Sequence, residues 1–333
     1  MIRRGLKNFL LVVFIIVAVF YVLSLRTLPE EIAYGASFSK FHSDELQLDW
    51  KKTYLAILDD LKVKNLRLSA HWPMVEPEEG KFNFNELDYQ MNEARRRGAL
   101  VILAVGRRLP GWPECHEPDW VSRSSPTVSL KQERILKYIE TVVNRYKDYE
   151  NIKYWQVENE PYLAFFSRSL CGELDEEFLQ KEIDLVHGLD QARQVLLTSS
   201  GEFDPWFQTY KRTDVFGSSA YLYVWWKTGP FRYPITPGFF RIKQNLVDLV
   251  YGKKPKVLIE LSTEPWLRQP IVGTPVEILL DRMGIDKFSE MISFASKTGF
   301  DAQYLWGVEW WYYMKTKQGH TEFWERAREL FSK

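Results

Sequence analysis

Short apolar runs and amphipathic stretches alternate along most of this chain. Ile32 to Phe38 reads as a first strand, followed by a helix-period stretch from Trp50 to Leu61. Asn65 to Ser69 predicts a second strand, with a helix from Glu86 to Arg97. Leu100 to Val105 is almost continuously apolar, as suits a parallel strand covered on both faces. A helix from Leu130 to Tyr146 leads to a strand over Ile152 to Val157, and a helix from Glu176 to Leu189 follows. Val195 to Thr198, Val215 to Ala220, Val257 to Glu260 and Ala302 to Trp306 bring the strands to eight, and a last helix covers Thr321 to Leu330. Eight strands alternating with helices predict an α/β fold of the (β/α)₈ TIM-barrel class over residues 32–333. A doubly wound sheet is the alternative, but no G-x-G-x-x-G and no Walker-type loop occurs. Long connections follow the strands (106–129, 161–175, 221–240 and 261–285), which points to one elaborated, functional face.

The N-terminus breaks this pattern. Arg3, Arg4 and Lys7 lie in a basic segment, 1–7, before an uncharged apolar stretch from Asn8 to Leu25. That stretch has the length of a membrane span, and the basic residues favour an inside N-terminus. The reading is a signal-anchor over 8–25, a short linker over 26–31, and a catalytic domain outside the cytoplasm. A cleaved signal peptide, with a weak site near Val22-Leu-Ser24, is the rival.

Charge and cysteine content narrow the picture further. Lys plus Arg equals Asp plus Glu at 44 each, so no net field favours nucleic acid as a partner. Histidines are scattered without ligand spacing, so neither a metal nor another cofactor is expected. Cys115 and Cys171 are the only cysteines, in loops that a barrel makes neighbours. An oxidising compartment lets them pair; two free or buried thiols are the other reading.

Two glutamates carry the candidate chemistry. Glu160 sits in Tyr154-Trp-Gln-Val-Glu-Asn-Glu-Pro161 after the fourth strand, and Glu260 ends Lys256-Val-Leu-Ile-Glu260, the seventh. Strands four and seven lie across an eight-strand ring, so the two carboxyl groups can face one sugar, one as acid and one as nucleophile. Strand alternation puts Glu158 on the same side as Glu160, one layer lower, as a supporting residue beside Arg67. Glu264 lies past its strand and reads as a subsite or loop-capping residue. His71, Trp72, Arg107, Trp112, Glu202 and Trp266, in loops after strands, are substrate-binding candidates, with Trp225, Trp226, Trp310 and Trp311 as weaker ones. For each Trp, loop or core packing is the competing reading.

Five segments resemble glycoside hydrolase clan A, the retaining barrel enzymes that include the cellulase-type family 5. They are Asn65-Leu-Arg-Leu-Ser69, Trp72 to Phe84 leading to Leu87-Asp88, Gln156-Val-Glu-Asn-Glu-Pro161, Val257-Leu-Ile-Glu260 and Tyr304-Leu-Trp306. The resemblance implies Glu160 as acid/base, Glu260 as nucleophile, and Arg67 hydrogen-bonded to it. It implies Asn159 on the sugar 2-hydroxyl, Tyr221 touching the nucleophile and Trp306 flooring the central subsite. Ser219-Ala-Tyr221 stands where cellulase-type members carry His-x-Tyr, while Gln156 to Glu160 and Glu76-Pro-Glu-Glu-Gly80 also resemble clan β-galactosidases. The function this implies is retaining hydrolysis of a β-linked oligo- or polysaccharide. A transglycosylase of the same fold, a non-catalytic carbohydrate-binding barrel and an envelope scaffold are the alternatives.

Overall fold

A computed structural model describes residues 2–111, 114–124, 127–163, 171–226 and 229–332. Eight parallel strands close into a barrel: β1 (Ala33–Ser37), β2 (Asn65–Ser69), β3 (Leu100–Val105), β4 (Ile152–Val157), β5 (Val195–Ser199), β6 (Val215–Ala220), β9 (Lys256–Ser262) and β10 (Ala302–Trp306). β7 (Tyr223–Trp226) and β8 (Gly229–Arg232) form a separate antiparallel hairpin in the excursion after β6. The expected (β/α)₈ architecture is therefore present, with this hairpin added.

Side-chain parity sorts the core into two layers. On β3, Val101, Leu103 and Val105 pack outward against the helices, while Ile102 enters the lumen. Leu196, Val215, Val257, Ile259, Ala302 and Tyr304 fill the lumen with it, so the barrel is a packed core and not a pore. The outer helices bury stripes at three- and four-residue spacing; on the helix Val128–Tyr146 these are Ile135, Tyr138, Ile139, Val142, Val143 and Tyr146. Side-chain caps start several of them: Asp49 accepts from the N–H groups of Lys51 and Lys52, and Asp175 from those of Glu177 and Phe178.

One irregularity matters for the site. Ser218 pairs with Leu258 but Ser219 with Glu260, and Gln303 pairs with Leu258 but Leu305 with Leu261. β9 thus carries one extra residue against both neighbours, a bulge at Ile259–Glu260. Strict alternation from Val257 and Ile259 would send Glu260 outward; the bulge turns it to the barrel mouth. β9 also runs two residues beyond Glu260, which was expected to end it.

The N-terminal region contains a helix, Ile2–Ser24, with Phe9, Leu11, Phe14, Phe20 and Val22 exposed. Among the described residues no helix is long and apolar enough to cross a membrane, so the structure lends no support to the expected span over 8–25. The end of this helix docks on the helix Pro237–Tyr251. Arg241 Nε donates to Ser24 O (2.7 Å), Asn245 Nδ2 to Leu23 O (2.7 Å), and Arg26 pairs with Asp248 (3.0 Å).

Cys115 and Cys171 are joined in a disulfide, Cα atoms 5.5 Å apart, tying the loop after β3 to the loop after β4. Closing a loop of this length stabilises by about 3–4 kcal/mol in chain-entropy accounting. Denatured protein should therefore show no titratable thiol before reduction and two afterwards, with a lower Tm for the reduced form. Two free thiols in unreduced protein would contradict the bridge.

Candidate active site

The barrel mouth is organised around Arg67, which projects from β2 and is 1 % exposed. Its Nη1 donates to Glu260 Oε2 (2.6 Å), its Nη2 to Asn159 Oδ1 (2.7 Å) and its Nε to Gln156 Oε1 (2.8 Å). Three elements far apart in sequence meet on one guanidinium. The remaining Glu260 oxygen, Oε1, accepts a short hydrogen bond from the Tyr221 hydroxyl. Both oxygens of this carboxylate are thus fixed, one by a cation and one by a phenol O–H, and the group is aimed into the mouth. The negative charge in turn pushes the buried Tyr221 hydroxyl, already raised by burial, further up.

Glu160 has the opposite environment. It is 7 % exposed, and Oε1 has no hydrogen-bond partner among the described residues. Burial, then the charges of Glu260 and Glu114, raise its pKa well above the usual carboxylate range. Its backbone N–H donates to Thr198 Oγ1 (2.7 Å), and Thr198 donates to Asn159 Oδ1 (3.1 Å). Oδ1 of Asn159 is thereby used by protein donors, which leaves its amide Nδ2 as the group that can donate to a ligand. Glu158 and Glu160 both have positive φ, +54° and +45°. Side chains rarely tolerate this region, and it costs about 1–3 kcal/mol per residue where the surroundings enforce it.

That backbone corrects the expected place of Glu158. Alternation stops at Val157, and the Glu158 carboxylate turns from Arg67 to accept the N–H groups of Arg107 (2.7 Å) and Arg108 (2.6 Å). Gly106 lies against it: a Cβ there would fall 2.5 Å from Glu158 Oε1. Behind Glu158 stands Glu182, buried on the helix Glu176–Leu189, with its pKa raised by burial and by Glu158. Glu158 clamps the start of the loop after β3.

The substrate-binding candidates divide. Trp306 and Trp266 stand at the mouth. Trp306 Nε1 donates to Glu264 Oε1 (2.6 Å), and the Trp266 ring meets the Tyr221 ring edge-on at 5.1 Å. Glu202 accepts the Tyr221 N–H (2.7 Å), and burial pushes its carboxyl up to about 7. His71 is buried against His116, ring centroids 4.4 Å apart, and burial holds its pKa well below the usual imidazole value. Trp72 is not a subsite residue: it is fully buried between Trp120 and Tyr138, its Nε1 bonded to Glu76. Arg107 is a loop tie, donating to Cys171 O and Glu117. Trp310 and Trp311 are core residues, and Trp225 lies under the Arg282 guanidinium at 4.5 Å. Trp112, and the side chain of Trp226, fall outside the described residues.

Sequence reasoning missed Glu114, Arg108, Thr198 and His42. Arg108 pairs with Glu114 (2.8 Å), and the Glu114 charge adds to that of Glu260 in raising the buried Glu160 carboxyl. Thr198 could have been found as the first polar residue after the apolar run of its strand; Glu114 carries no such signal. Among the described residues no cluster of His, Cys, Asp or Glu could hold a metal ion.

A model of glycosyl hydrolase family 10 matches residues 49–168. The β-galactosidase Pbg of Clostridium perfringens is 29% identical over 135 residues, 34% of this chain and 18% of that protein. LacZ of Lactobacillus acidophilus, also a β-galactosidase, is 24% identical over 148 residues, 40% of this chain and 22% of its own length. The matched stretch thus spans about a fifth of these curated relatives. Among solved structures, a β-galactosidase from Rahnella sp. R3 superposes with a TM-score of 0.60 at 14% identity, covering 92% of this chain and 57% of that one. Xylanase 10B from Thermotoga maritima superposes at 0.57 and 14% identity, covering 91% and 96%. GH5_18 from Bifidobacterium longum gives 0.59 at 13% identity, covering 83% and 70%. With a closed parallel barrel of eight strands, a family 10 match and these neighbours, the chain has the fold of the clan A glycoside hydrolases.

Proposed function

We propose that this chain is a retaining β-glycoside hydrolase working by double displacement, with Glu160 as acid/base and Glu260 as nucleophile. The observation that carries the reading is the contrast between two carboxyl groups at one barrel mouth. Glu160 is buried with an unbonded oxygen and a raised pKa, while Glu260 is gripped by Arg67 and Tyr221. Such divergent surroundings divide acid from nucleophile. The relatives named as β-galactosidases and xylanase bring β-linked sugars as the substrate class.

In the first step a Glu260 oxygen forms a bond to the anomeric carbon as the C1–O bond to the leaving group breaks. Glu160 passes its proton to the departing oxygen. In the second, Glu160 takes a proton from water as that water attacks C1 and releases Glu260. Two inversions give net retention. Arg67 aims Glu260 at the anomeric carbon, Asn159 Nδ2 offers a donor to the sugar 2-hydroxyl, and Trp306 presents a flat apolar face to the pyranose.

We also propose that the chain is held in a membrane by residues 8–25, N-terminus inside and barrel outside. The support is in the sequence alone: the uncharged length of that stretch and its flanking charges. Membrane fractions should retain the full-length protein through alkaline carbonate washing. Release of a form beginning near Leu25 would instead mark a cleaved leader.

Glu260→Ala should lower turnover of aryl β-glycosides by several orders of magnitude, as for loss of a covalent catalyst. Azide should restore part of it and yield the inverted glycosyl azide. Sugar binding without cleavage of any β-glycoside by the wild type would favour the carbohydrate-binding alternative. The raised pKa of Glu160 gives a second expectation. A carboxyl whose folded pKa lies above its unfolded value loses stability as pH rises between the two. Glu160→Gln should therefore raise Tm at neutral pH, with the gain vanishing below about pH 4.5, where both states are protonated. A gain that persists at pH 4, or none at pH 7, would contradict this account of Glu160.

A further inference from the structure

The side chain chosen to floor the sugar site is itself held by a relay that neither catalytic group touches. Trp306 Nε1 donates to Glu264 Oε1 (2.6 Å), and Glu264 Oε2 lies 2.9 Å from His42 Nε2. His42 Nδ1 is 3.0 Å from Glu45 Oε2, and the His42 ring lies nearly parallel to the Trp306 ring, 23° between planes and 6.3 Å between centroids. Resting on the glycosidase reading above, we propose that Glu264 and His42 are positioning residues that fix Trp306 as the floor of the sugar site.

Backbone features built around the relay support this. Gly307, directly after Trp306, has φ +117°, and a Cβ there would fall 2.7 Å from the Cβ of Glu264. The glycine is what lets the Glu264 backbone and Cβ approach the end of β10, from where its carboxylate reaches the indole N–H. The helix Lys40–Glu45 carries both His42 and Glu45, and its capping residue Ser39 donates its N–H to the buried Glu309. Glu309 stands three residues after Trp306. The ends of β1, β9 and β10 are thereby joined through one set of polar contacts.

The charge arrangement is consistent. Glu45, Glu264 and Glu309 all face His42. Burial works against an imidazolium, but attraction to Glu264 and the hydrogen bonds to Glu264 and Glu45 outweigh it and raise the His42 pKa well above its usual value. A cationic ring has two N–H donors, one for each carboxylate. Glu264, with one oxygen satisfied by His42, directs the other to the indole N–H and sets the plane of the ring.

The test is a double-mutant cycle on an aryl β-glycoside that the wild type cleaves. Glu264→Ala should raise KM about tenfold, equivalent to loss of one charge-assisted hydrogen bond's orientation of the floor, with kcat within about threefold. Adding it to Trp306→Phe should cost little beyond Trp306→Phe alone, because the carboxylate acts through the indole. Glu264→Gln should recover most of the affinity, since its amide oxygen still accepts the indole N–H. Additive effects, or a wild-type KM in Glu264→Ala, would overturn the proposal.

A second readout needs no turnover. In protein labelled with 5-fluorotryptophan, the ¹⁹F line lost in Trp306→Phe should move in Glu264→Ala and in His42→Phe. A line that stays put in both refutes the relay. If no β-glycoside is cleaved, the proposed function fails while this measurement still decides the role of Glu264 and His42.

Discussion

Arg67 is the contact on which the barrel mouth depends. A guanidinium removed from water is tolerated only where its donors are matched, and here three of them meet Glu260, Asn159 and Gln156. Those partners come from β9, the turn after β4 and β4 itself, so one side chain on β2 sets the spacing of elements on opposite sides of the ring. Below it the lumen is apolar, built of Ile102, Leu196, Val215, Val257 and Ile259. The polar layer therefore rests on a packed floor, and the low-polarity surroundings strengthen each charge-assisted bond within it.

The site is bought with local irregularity. Glu158 and Glu160 occupy the left-handed region, β9 bulges at Glu260, and Gly106 and Gly307 stand where a Cβ would collide with a glutamate. Each departure re-aims one carboxylate. Regular strands would have sent Glu260 to the helix layer and kept Glu158 in the lumen. Concentration of such features at one end of a barrel is where function and strain are expected to coincide.

These same features mark what the sequence could and could not disclose. The eight barrel strands were legible because each is a short apolar run, and helices such as Val128–Tyr146 because their stripes have the right period. Arg67, Asn159, Glu160, Tyr221 and Glu260 were legible because they sit at or near strand ends with a recognisable spacing. The direction of Glu158 was not, since a single positive φ reverses it and glutamate gives no sign of one. Trp72 looked like a loop aromatic beside the cleft, yet Trp120 and Tyr138 enclose it. Glu114 and His42 were invisible for a different reason. Their partners, Arg108 and Glu264, are ordinary charged residues whose pairing exists only after the loops are folded.

The covalent tie between residues 115 and 171 joins two loops that also meet through the Arg107 side chain and the Cys171 carbonyl. Glu114, one residue from the tie, adds its charge to the surroundings of Glu160. The two loops are therefore held to one another at two points on this side of the mouth. The spacing of these two loops is set when the sulfurs join, so thiol chemistry during folding helps to decide the surroundings of Glu160.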